Sequence, residues 1–402
     1  MSRPRRSVVG ATAGLVILLS GAVWLAWAQQ PPPQPFGPDW AMLIGGKVFA
    51  DKGCKTCHAI RGFGATAGPD LSRIEKRSFF DLGAALSNHL RGVALQRPSL
   101  TPGDVSNLIA WVFTLQYYDE RGDPKAGEAV FAQKACVQCH EVGGQGGRIG
   151  PGLDFLKRTW SPVLVAAAMW NHGPEMAEVL QAQGIARPTL TGKELVDLVA
   201  YIVEAARDGG GGTAQVLPGV PERGGKLFAE KGCVICHAVG GKGGQVGPEL
   251  GKRHHVSLSQ FGMLMWNHGP VMWPKMKERG LQVPRLRGQE MADIVAYLYA
   301  SHYFDPAVDP GRGRELLEIK GCLTCHAVRG KGGKIGADLA SYAGARTAAG
   351  LVAAMWNHPR YLEAQRREVS WPVLTGPDLA DMGAHLTALP PLPKAGPKPK
   401  GS

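Results

Sequence analysis

Short stretches of apolar residues at helical spacing recur along the chain, separated by glycine-rich connections. The clearest stretch repeats apolar residues at i, i+3, i+4 and i+7, which forms one apolar stripe along a helix. Its members are Leu195, Leu198, Val199 and Ile202. Thr191 and Glu194 stand at capping-box spacing before this stripe, and Thr101-Pro102 joins a cap residue to a proline at the first helical position. The pattern predicts an all-α chain of short helices with little strand.

The N-terminal segment has a different pattern. Residues 8–28 are uncharged and mostly apolar, and three arginines precede them at Arg3, Arg5 and Arg6. This arrangement is typical of an export signal, and Ala26-Trp27-Ala28 fits a small-x-small cleavage site. The same segment is long enough to span a bilayer if it is retained, so a membrane anchor is the alternative. Either way, we expect the rest of the protein to lie outside the cytoplasm, in the periplasm.

One pentapeptide, Cys-x-x-Cys-His, occurs four times and contains all eight cysteines. Its cysteines are Cys54 and Cys57, Cys136 and Cys139, Cys233 and Cys236, and Cys322 and Cys325. Fixed offsets around the motif reveal an internal repeat. Nine residues before the first cysteine stand Gly45, Gly127, Gly224 and Gly313. Eleven residues after the histidine, and directly after a glycine, stand Pro69, Pro151, Pro248 and Ala337.

The repeat divides the chain into four units. Units 1 to 4 are residues 38–121, 122–208, 220–305 and 306–389. A glycine-rich linker, 209–219, separates units 2 and 3. Residues 1–37 comprise the signal or anchor and a proline-rich linker, and 390–402 form a tail rich in proline and lysine. We expect both ends of the chain to be extended.

The pentapeptide predicts covalently attached haem. Two thiols three positions apart match the two vinyl groups on one porphyrin edge, and the next histidine reaches the iron as its proximal ligand. A redox dithiol needs no histidine in that position, and a zinc site would have to combine motifs from different repeats. We therefore predict four haem c groups. Their proximal iron ligands are His58, His140, His237 and His326.

Each unit resembles a class I cytochrome c domain. The first-helix glycine and phenylalanine, the pentapeptide, the Gly-Pro-x-Leu segment and the closing helix carry this resemblance from Trp40 to about Leu389. It implies four small helical domains in tandem, each folded around its haem. It also implies that the first and last helices cross near the glycine. The carbonyl of the proline, or of Ala337, is expected to accept the N–H of the proximal imidazole.

The units depart from that family on the other face of the iron. Class I domains usually supply methionine from a loop beside a proline before the last helix. Here those positions read Arg97-Pro98, Arg187-Pro188, Val283-Pro284 and Trp371-Pro372. A histidine follows each motif histidine by 31 or 32 residues. We predict these four as the distal ligands: His89, His172, His268 and His358. Methionine in the middle units, where Met176 and Met272 follow four residues later, and an open or mixed site stay as alternatives.

The other histidines, the tryptophans and the net charge indicate function less directly. His254, His255, His302 and His385 do not recur in register, so we interpret them as structural or exposed. The Trp of the Trp-Asn-His segments is expected to pack against haem. The formal charge of +12 favours an acidic partner or nucleic acid. Each predicted haem adds two propionates, however, so we expect no nucleic-acid partner.

Iron with two protein ligands has no vacant position for a substrate, which predicts an electron carrier and not an enzyme. We expect successive haems to form a chain that carries electrons between redox proteins or membrane electron-transfer complexes. A peroxidase with one open haem, in unit 1 first of all, is one alternative. A membrane-anchored cytochrome subunit of a dehydrogenase is the other. Nothing specific in the sequence supports an oligomer or a conducting filament.

Overall fold

The computed structural model of the protein describes residues 40–74, 78–89, 98–115, 117–158, 161–207, 219–252, 257–303, 308–364 and 371–390. The predicted signal or anchor at 8–28 lies outside these ranges, as do most of the 209–219 linker and of the C-terminal tail. Within them, no helix combines the length and the apolar character that a bilayer crossing requires.

Each unit contains three α-helices in the described residues. Unit 1 has α1 (Trp40–Asp51), α2 (Phe79–Asn88) and α3 (Pro102–Thr114). Unit 2 has α4 (Pro124–Gln133), α5 (Pro162–Ala182) and α6 (Gly192–Ala205). Unit 3 has α7 (Pro221–Glu230), α8 (Leu258–Glu278) and α9 (Gly288–Ala300). Unit 4 has α10 (Pro310–Ile319), α11 (Ala348–Ala364) and α12 (Gly376–Ala388).

In the part of the chain that the structure describes, the strands form four hairpins, each made of two two-residue strands directly after a pentapeptide. They pair β1 (Ala59–Ile60) with β2 (Phe63–Gly64), β3 (Glu141–Val142) with β4 (Gln145–Gly146), β5 (Ala238–Val239) with β6 (Lys242–Gly243), and β7 (Ala327–Val328) with β8 (Lys331–Gly332). Every pair is antiparallel. The prediction of an all-α fold with little strand is confirmed.

The last helix of a unit begins where the sequence predicts. Thr101 caps α3 and Thr191 caps α6, and in each the acidic residue three positions later completes a capping box. α12 begins in the same way at Thr375 with Asp378. The first and last helices then cross in contact. A Cβ on the first-helix glycine would lie 1.9–2.3 Å from a last-helix carbonyl oxygen at Gly45, Gly127, Gly224 and Gly313. Only glycine permits this approach.

Units 2 and 3 are joined by a reciprocal pair of asparagine bridges. Asn171 donates to the carbonyl of Leu286 (2.7 Å) and accepts from the N–H of the same residue (2.8 Å). Asn267 of unit 3 makes the same two bonds to Leu190 of unit 2, at 2.7 and 3.0 Å. Each asparagine satisfies both polar groups of a buried backbone segment in the other unit.

Units 1 and 4 are joined by the same bridges. Asn88 bonds both backbone groups of Leu374, at 2.7 and 2.9 Å. Asn357 bonds both backbone groups of Leu100, at 2.7 and 3.1 Å. In all four bridges the leucine is the residue directly before the N-cap of a last helix.

An aromatic cluster joins the two pairs through units 1 and 3. The ring of Phe113 lies 4.9 Å from that of Tyr299 and 4.8 Å from that of Tyr303. The Tyr299 hydroxyl donates to the Phe113 carbonyl (2.8 Å), and the Phe79 N–H donates to the Tyr303 carbonyl (2.7 Å). Phe113, Tyr299 and Tyr303 are buried. Unit 1 therefore contacts unit 3 and unit 4.

These contacts order the units 2–3–1–4 in space. Two of these contacts, between units 1 and 3 and between units 1 and 4, join units that are not consecutive in the sequence. The asparagine bridges join side chains to backbone segments 77 or 115 residues away in units 2 and 3, and 257 or 286 residues away in units 1 and 4. Tandem connections limit how far apart two units lie, but these long-range bonds decide which surfaces meet.

We expect Asn171→Ala to lower the free energy of unfolding by about 1–3 kcal/mol, because it leaves the buried N–H and C=O of Leu286 without partners. Chemical denaturation measures this change. Gln181→Ala is the matched control, since Gln181 is exposed on the same helix and a surface change of this kind usually costs within about 0.5 kcal/mol. Equal stabilities of the two variants would contradict the bridge.

Candidate haem sites

Each pentapeptide forms one tight 3₁₀ turn that begins at its first cysteine. The four turns are Cys54–Thr56, Cys136–Gln138, Cys233–Ile235 and Cys322–Thr324. The residue before each turn has a positive φ of 62–78°, which glycine adopts easily and which Ala135 adopts in unit 2. The histidine N–H closes the turn by donating to the first cysteine's carbonyl at 2.9–3.0 Å. Both thiols and the imidazole are thus held by one short segment.

The four motif imidazoles make the bond that the resemblance implies. Nδ1 of His58 donates to the Pro69 carbonyl at 2.8 Å. The corresponding donors and acceptors are His140 and Pro151 at 2.9 Å, His237 and Pro248 at 3.0 Å, and His326 and Ala337 at 2.7 Å. This bond uses the Nδ1 proton and leaves Nε2 of each ring as a metal ligand.

A glycine packs flat against each of these imidazoles. A Cβ on Gly68, Gly150, Gly247 or Gly336 would lie 2.3–2.5 Å from the ring Cε1. Any side chain at the glycine position is excluded, because the carbonyl of the next residue must come within hydrogen-bond distance of the imidazole. This contact explains why a glycine precedes the proline or alanine in all four units.

Burial raises the pKa of the first cysteine in every motif. The pKa of Cys136 and that of Cys233 are about 11, and those of Cys54 and Cys322 are also raised. A nucleophilic dithiol or a zinc ligand needs a thiolate, which a low pKa favours. These raised values weigh against both alternatives, whereas addition of a thiol to a vinyl group needs no standing thiolate.

A cavity of about 240 Å³ in unit 3 shows the shape of one site. Among the residues that line it are Cys233, Cys236, His237, Met265, His268 and Met272. Apolar side chains form most of the remaining wall, including Val295 and Leu298 of the last helix. His302, which the sequence suggests is structural or exposed, also lines this cavity. An apolar cleft with thiols and imidazoles along its wall fits a haem.

The predicted distal histidines do not all have the same surroundings. In unit 1, the His58 and His89 rings lie 5.8 Å apart, and in unit 4 the His326 and His358 rings lie 5.7 Å apart. Two metal–nitrogen bonds of about 2 Å, added to the distance from each nitrogen to its ring centre, give a separation of about 6 Å for two axial imidazoles. In unit 2, His172 is exposed, and its Nδ1 donates to Glu175 at 3.2 Å.

Three buried donors suit the carboxylates of haem. Arg187 Nε, Trp273 Nε1 and Trp371 Nε1 have no hydrogen-bond partner among the described residues. The Arg187 guanidinium stacks on the ring of Trp266 at 3.5 Å, and burial lowers its pKa to about 10. Trp371 lies beside His358, with ring centroids 5.5 Å apart. Propionates are acceptors, so the residues present fit the group.

The Trp of each Trp-Asn-His segment reaches into the neighbouring unit. Trp170 of unit 2 lines the unit 3 cavity and donates to the Pro284 carbonyl at 2.8 Å. Trp356 of unit 4 donates to the Pro98 carbonyl of unit 1, and its ring lies 6.1 Å from that of His89. The sequence analysis expected each Trp to pack against haem, but it did not predict that the Trp reaches into the neighbouring unit. A Pro-x-Leu repeat before each last helix was the available signal.

Three more histidines were not predicted to bind iron, and only one of them lies within the described residues. His254 and His255 lie outside the described residues. His385 is half-buried on α12, where burial and then the charge of Arg314 lower its pKa. A structural role fits this position.

We expect Gly150→Ala to displace the His140 ring, because the new Cβ would lie 2.5 Å from Cε1. Ferric EPR should then show loss of low-spin signal from one haem and growth of a high-spin signal. Gly152→Ala is the matched control on the other side of Pro151, where a Cβ meets its nearest atom at 3.8 Å. Identical spectra for the two variants would disprove tight packing against the proximal imidazole.

Comparison with protein families identifies two of the four units. Residues 221–301 match the family model described as cytochrome c. Residues 122–202 match the family model described as cytochrome C oxidase, cbb3-type, subunit III. No curated protein and no solved structure matches the chain. The two family matches coincide with units 2 and 3, so the chain contains c-type cytochrome domains, which indicate a haem-based electron carrier.

Proposed function

We propose that the protein is a tetrahaem electron carrier that operates outside the cytoplasm. One observation carries the proposal: units 1 and 4, which lie outside the two matched segments 122–202 and 221–301, have the same site geometry as units 2 and 3. All four have the thiol-bearing turn, the Nδ1 bond to a carbonyl and the glycine against the imidazole. Four sites of one construction are expected to bind four groups of one kind.

The cysteines of each unit hold one haem through thioether bonds, and the motif histidine binds its iron. When bound, haem c supplies a one-electron couple whose potential depends on its axial ligands, its burial and its hydrogen bonds. The apolar wall of the site excludes water from most of the porphyrin. Arg187 Nε and the two tryptophan Nε1 groups donate to propionates, which stabilises the buried carboxylates.

The proposed electron path is 2–3–1–4, the order in which the units contact one another. Trp170 lies in the wall of the unit 3 site, and Trp356 lies beside the distal histidine of unit 1. Within each pair, the haem site of one unit is therefore in contact with its neighbour. Units 2 and 4 are the ends of this path. They are the surfaces at which redox proteins or membrane electron-transfer complexes exchange electrons with the chain.

An iron with two protein ligands is favoured over an iron with an open sixth position, which an enzyme would need. Unit 1 is the candidate that the sequence singles out for an open site, yet His89 lies opposite His58 there at axial-ligand separation. A peroxidase requires a displaceable sixth position, which a second protein ligand blocks. A dehydrogenase subunit with an anchor at 8–28 is compatible with the same electron path. It differs only in how the protein is attached to the membrane.

We expect the mass of the mature protein to exceed that of its polypeptide by four haem groups. Replacing Cys136 and Cys139 together by Ala should remove one haem. Lys134→Ala is the matched control. It changes a residue beside the motif and leaves both cysteines in place, so all four haems should remain attached. Ferric spectra should be low-spin and unaffected by peroxide. Fewer than four haems, or a peroxide-reactive high-spin haem, would overturn the proposed function.

A further inference from the structure

We propose that units 2 and 3 together form one carboxylate-binding site, which holds a propionate of the unit 2 haem and sets the reduction potential of that haem. The site consists of Arg187 from unit 2 and Trp273 from unit 3. The inference rests on the proposed function, since it requires haem in unit 2. It adds that one unit of the pair controls a redox centre of the other.

Unit 3 holds the Arg187 side chain in place. Arg187 Nη2 donates to the Trp266 carbonyl at 2.7 Å, and the guanidinium carbon lies 3.5 Å from the centre of the Trp266 ring. This carbonyl is available because Pro270, four residues later in α8, has no N–H to donate within the helix. One nitrogen and one face of the guanidinium are thus bound to unit 3.

The rest of this guanidinium lacks an anion. Arg187 Nε is buried without a hydrogen-bond partner, and no carboxylate among the described residues forms an ion pair with the side chain. Burial lowers the pKa of Arg187 to about 10, so the side chain remains charged at neutral pH. A buried charge without a counter-ion is destabilising, which indicates that an anion belongs beside Nε.

A second donor without a partner lies next to Arg187. Trp273 Nε1 is buried and has no hydrogen-bond partner in the part of the chain that the structure describes. The centre of the Trp273 ring lies 5.3 Å from the guanidinium carbon and 6.1 Å from the centre of the Trp170 ring. Gly173 makes room for it, since a Cβ there would lie 2.6 Å from the Trp273 ring. Two donors this close together can bind the two oxygens of one carboxylate.

These two donors break the correspondence between units 2 and 3. The residue directly before the proline of the Pro-x-Leu segment is Arg187 in unit 2 but Val283 in unit 3. The residue five positions after the predicted distal histidine is Trp273 in unit 3 but Ala177 in unit 2. Each unit therefore supplies one donor that the other unit lacks at the matching position, and the two donors meet at a single place.

The position of Trp266 assigns the site to the unit 2 haem. Trp266 is buried in the hydrophobic core of unit 2, against which the thiol-bearing Cys136 packs. The guanidinium that stacks on this tryptophan belongs to unit 2 as well. Trp273 is not among the residues that line the described cavity of unit 3. The carboxylate that fits both donors is therefore a propionate of the unit 2 haem.

The site raises the potential of this haem. Ferric iron carries one more positive charge than ferrous iron, so a nearby guanidinium destabilises the ferric form, and its pairing with the propionate offsets the opposite effect of that carboxylate. The same cation lowers the pKa of the propionate and keeps it deprotonated. Because unit 2 is one end of the proposed path, unit 3 thereby adjusts the potential at which electrons enter or leave there.

Two variants test the site through the potentials of the four haems. Arg187→Leu should lower the potential of one haem and make it pH-dependent near neutral pH, because a buried propionate without its cation takes up a proton when the iron is reduced. Trp273→Phe removes only the indole N–H and should lower the same potential by a smaller amount. Arg207→Leu is the control, since it removes an exposed positive charge from the same unit. Unchanged potentials in both test variants would overturn the inference.

Removal of single haems identifies the haem that the site serves. In protein that lacks haem 2 through Cys136→Ala and Cys139→Ala, Arg187→Leu should change none of the remaining potentials. In protein that lacks haem 3 through Cys233→Ala and Cys236→Ala, the change should persist. The opposite pattern would overturn the assignment to unit 2.

A double variant tests whether the two donors share one carboxylate. Arg187→Leu and Trp273→Phe together should lower the potential of one haem by less than the sum of the two single effects, because both donors act on the same group. Effects that add, or that fall on two different haems, would contradict a shared site.

Added acetate separates a propionate from a free carboxylate. At constant ionic strength, acetate should leave the potentials of the parent protein unchanged, because the propionate occupies the site. An acetate effect that Arg187→Leu abolishes would assign the site to a free carboxylate and overturn the inference. Fewer than four haems by mass would overturn the carrier itself, whereas four haems with potentials insensitive to both variants would overturn the shared site alone.

Discussion

The asparagine bridge is the interaction on which the assembly depends. Each asparagine uses both its carbonyl and its amide on one backbone position of another unit, so a shift by one residue would lose two hydrogen bonds at once. The bridged leucine directly precedes a last helix, and that helix crosses the first helix of its own unit at a glycine. One side chain therefore links the middle helix of one unit to both outer helices of its partner.

The bridge also bears on the distal face of the iron. The asparagine and the following histidine are consecutive on the middle helix, so holding the asparagine fixes the rotation of that helix relative to the site. The bridged Pro-x-Leu segment occupies the place from which class I domains usually supply methionine. Here its carbonyls accept bonds from the neighbouring asparagine and tryptophan, at Pro188 and Leu190 for example. A segment committed to the unit contact is not available to the iron, in agreement with our proposal that the middle helix supplies the distal ligand.

The proximal half of each site could be predicted because it is local. The thiols, the imidazole and its acceptor carbonyl lie within fifteen residues of one another, for instance between Cys54 and Pro69. The helix starts at Thr101 and Thr191 were predictable for the same reason, since a capping box is contained in four residues. Short-range rules apply wherever such a segment occurs, whatever the rest of the chain does.

The distal half and the order of units depend on distant groups. Asn88 donates to a backbone carbonyl 286 residues away. Because every residue has a backbone carbonyl, no particular residue type in the sequence marks this partner. The regular Pro-x-Leu repeat indicates that this segment has a common role, but not which unit it contacts. The histidine register likewise indicates a ligand position without showing that His172 faces solvent while His89 faces His58.

The contact between units 1 and 3 is of a different kind from the bridges within the pairs. Phe113, Tyr299 and Tyr303 pack edge to face, and the tyrosines are buried together with the phenylalanine. Such a contact excludes water between the two units. The same interface contains a formal charge, because the Asp119 carboxylate of unit 1 accepts hydrogen bonds from Ser257 and Ser259 of unit 3. Units 1 and 3 are therefore joined by an apolar cluster and by a hydrogen-bonded carboxylate, whereas the asparagine bridges within the pairs are uncharged.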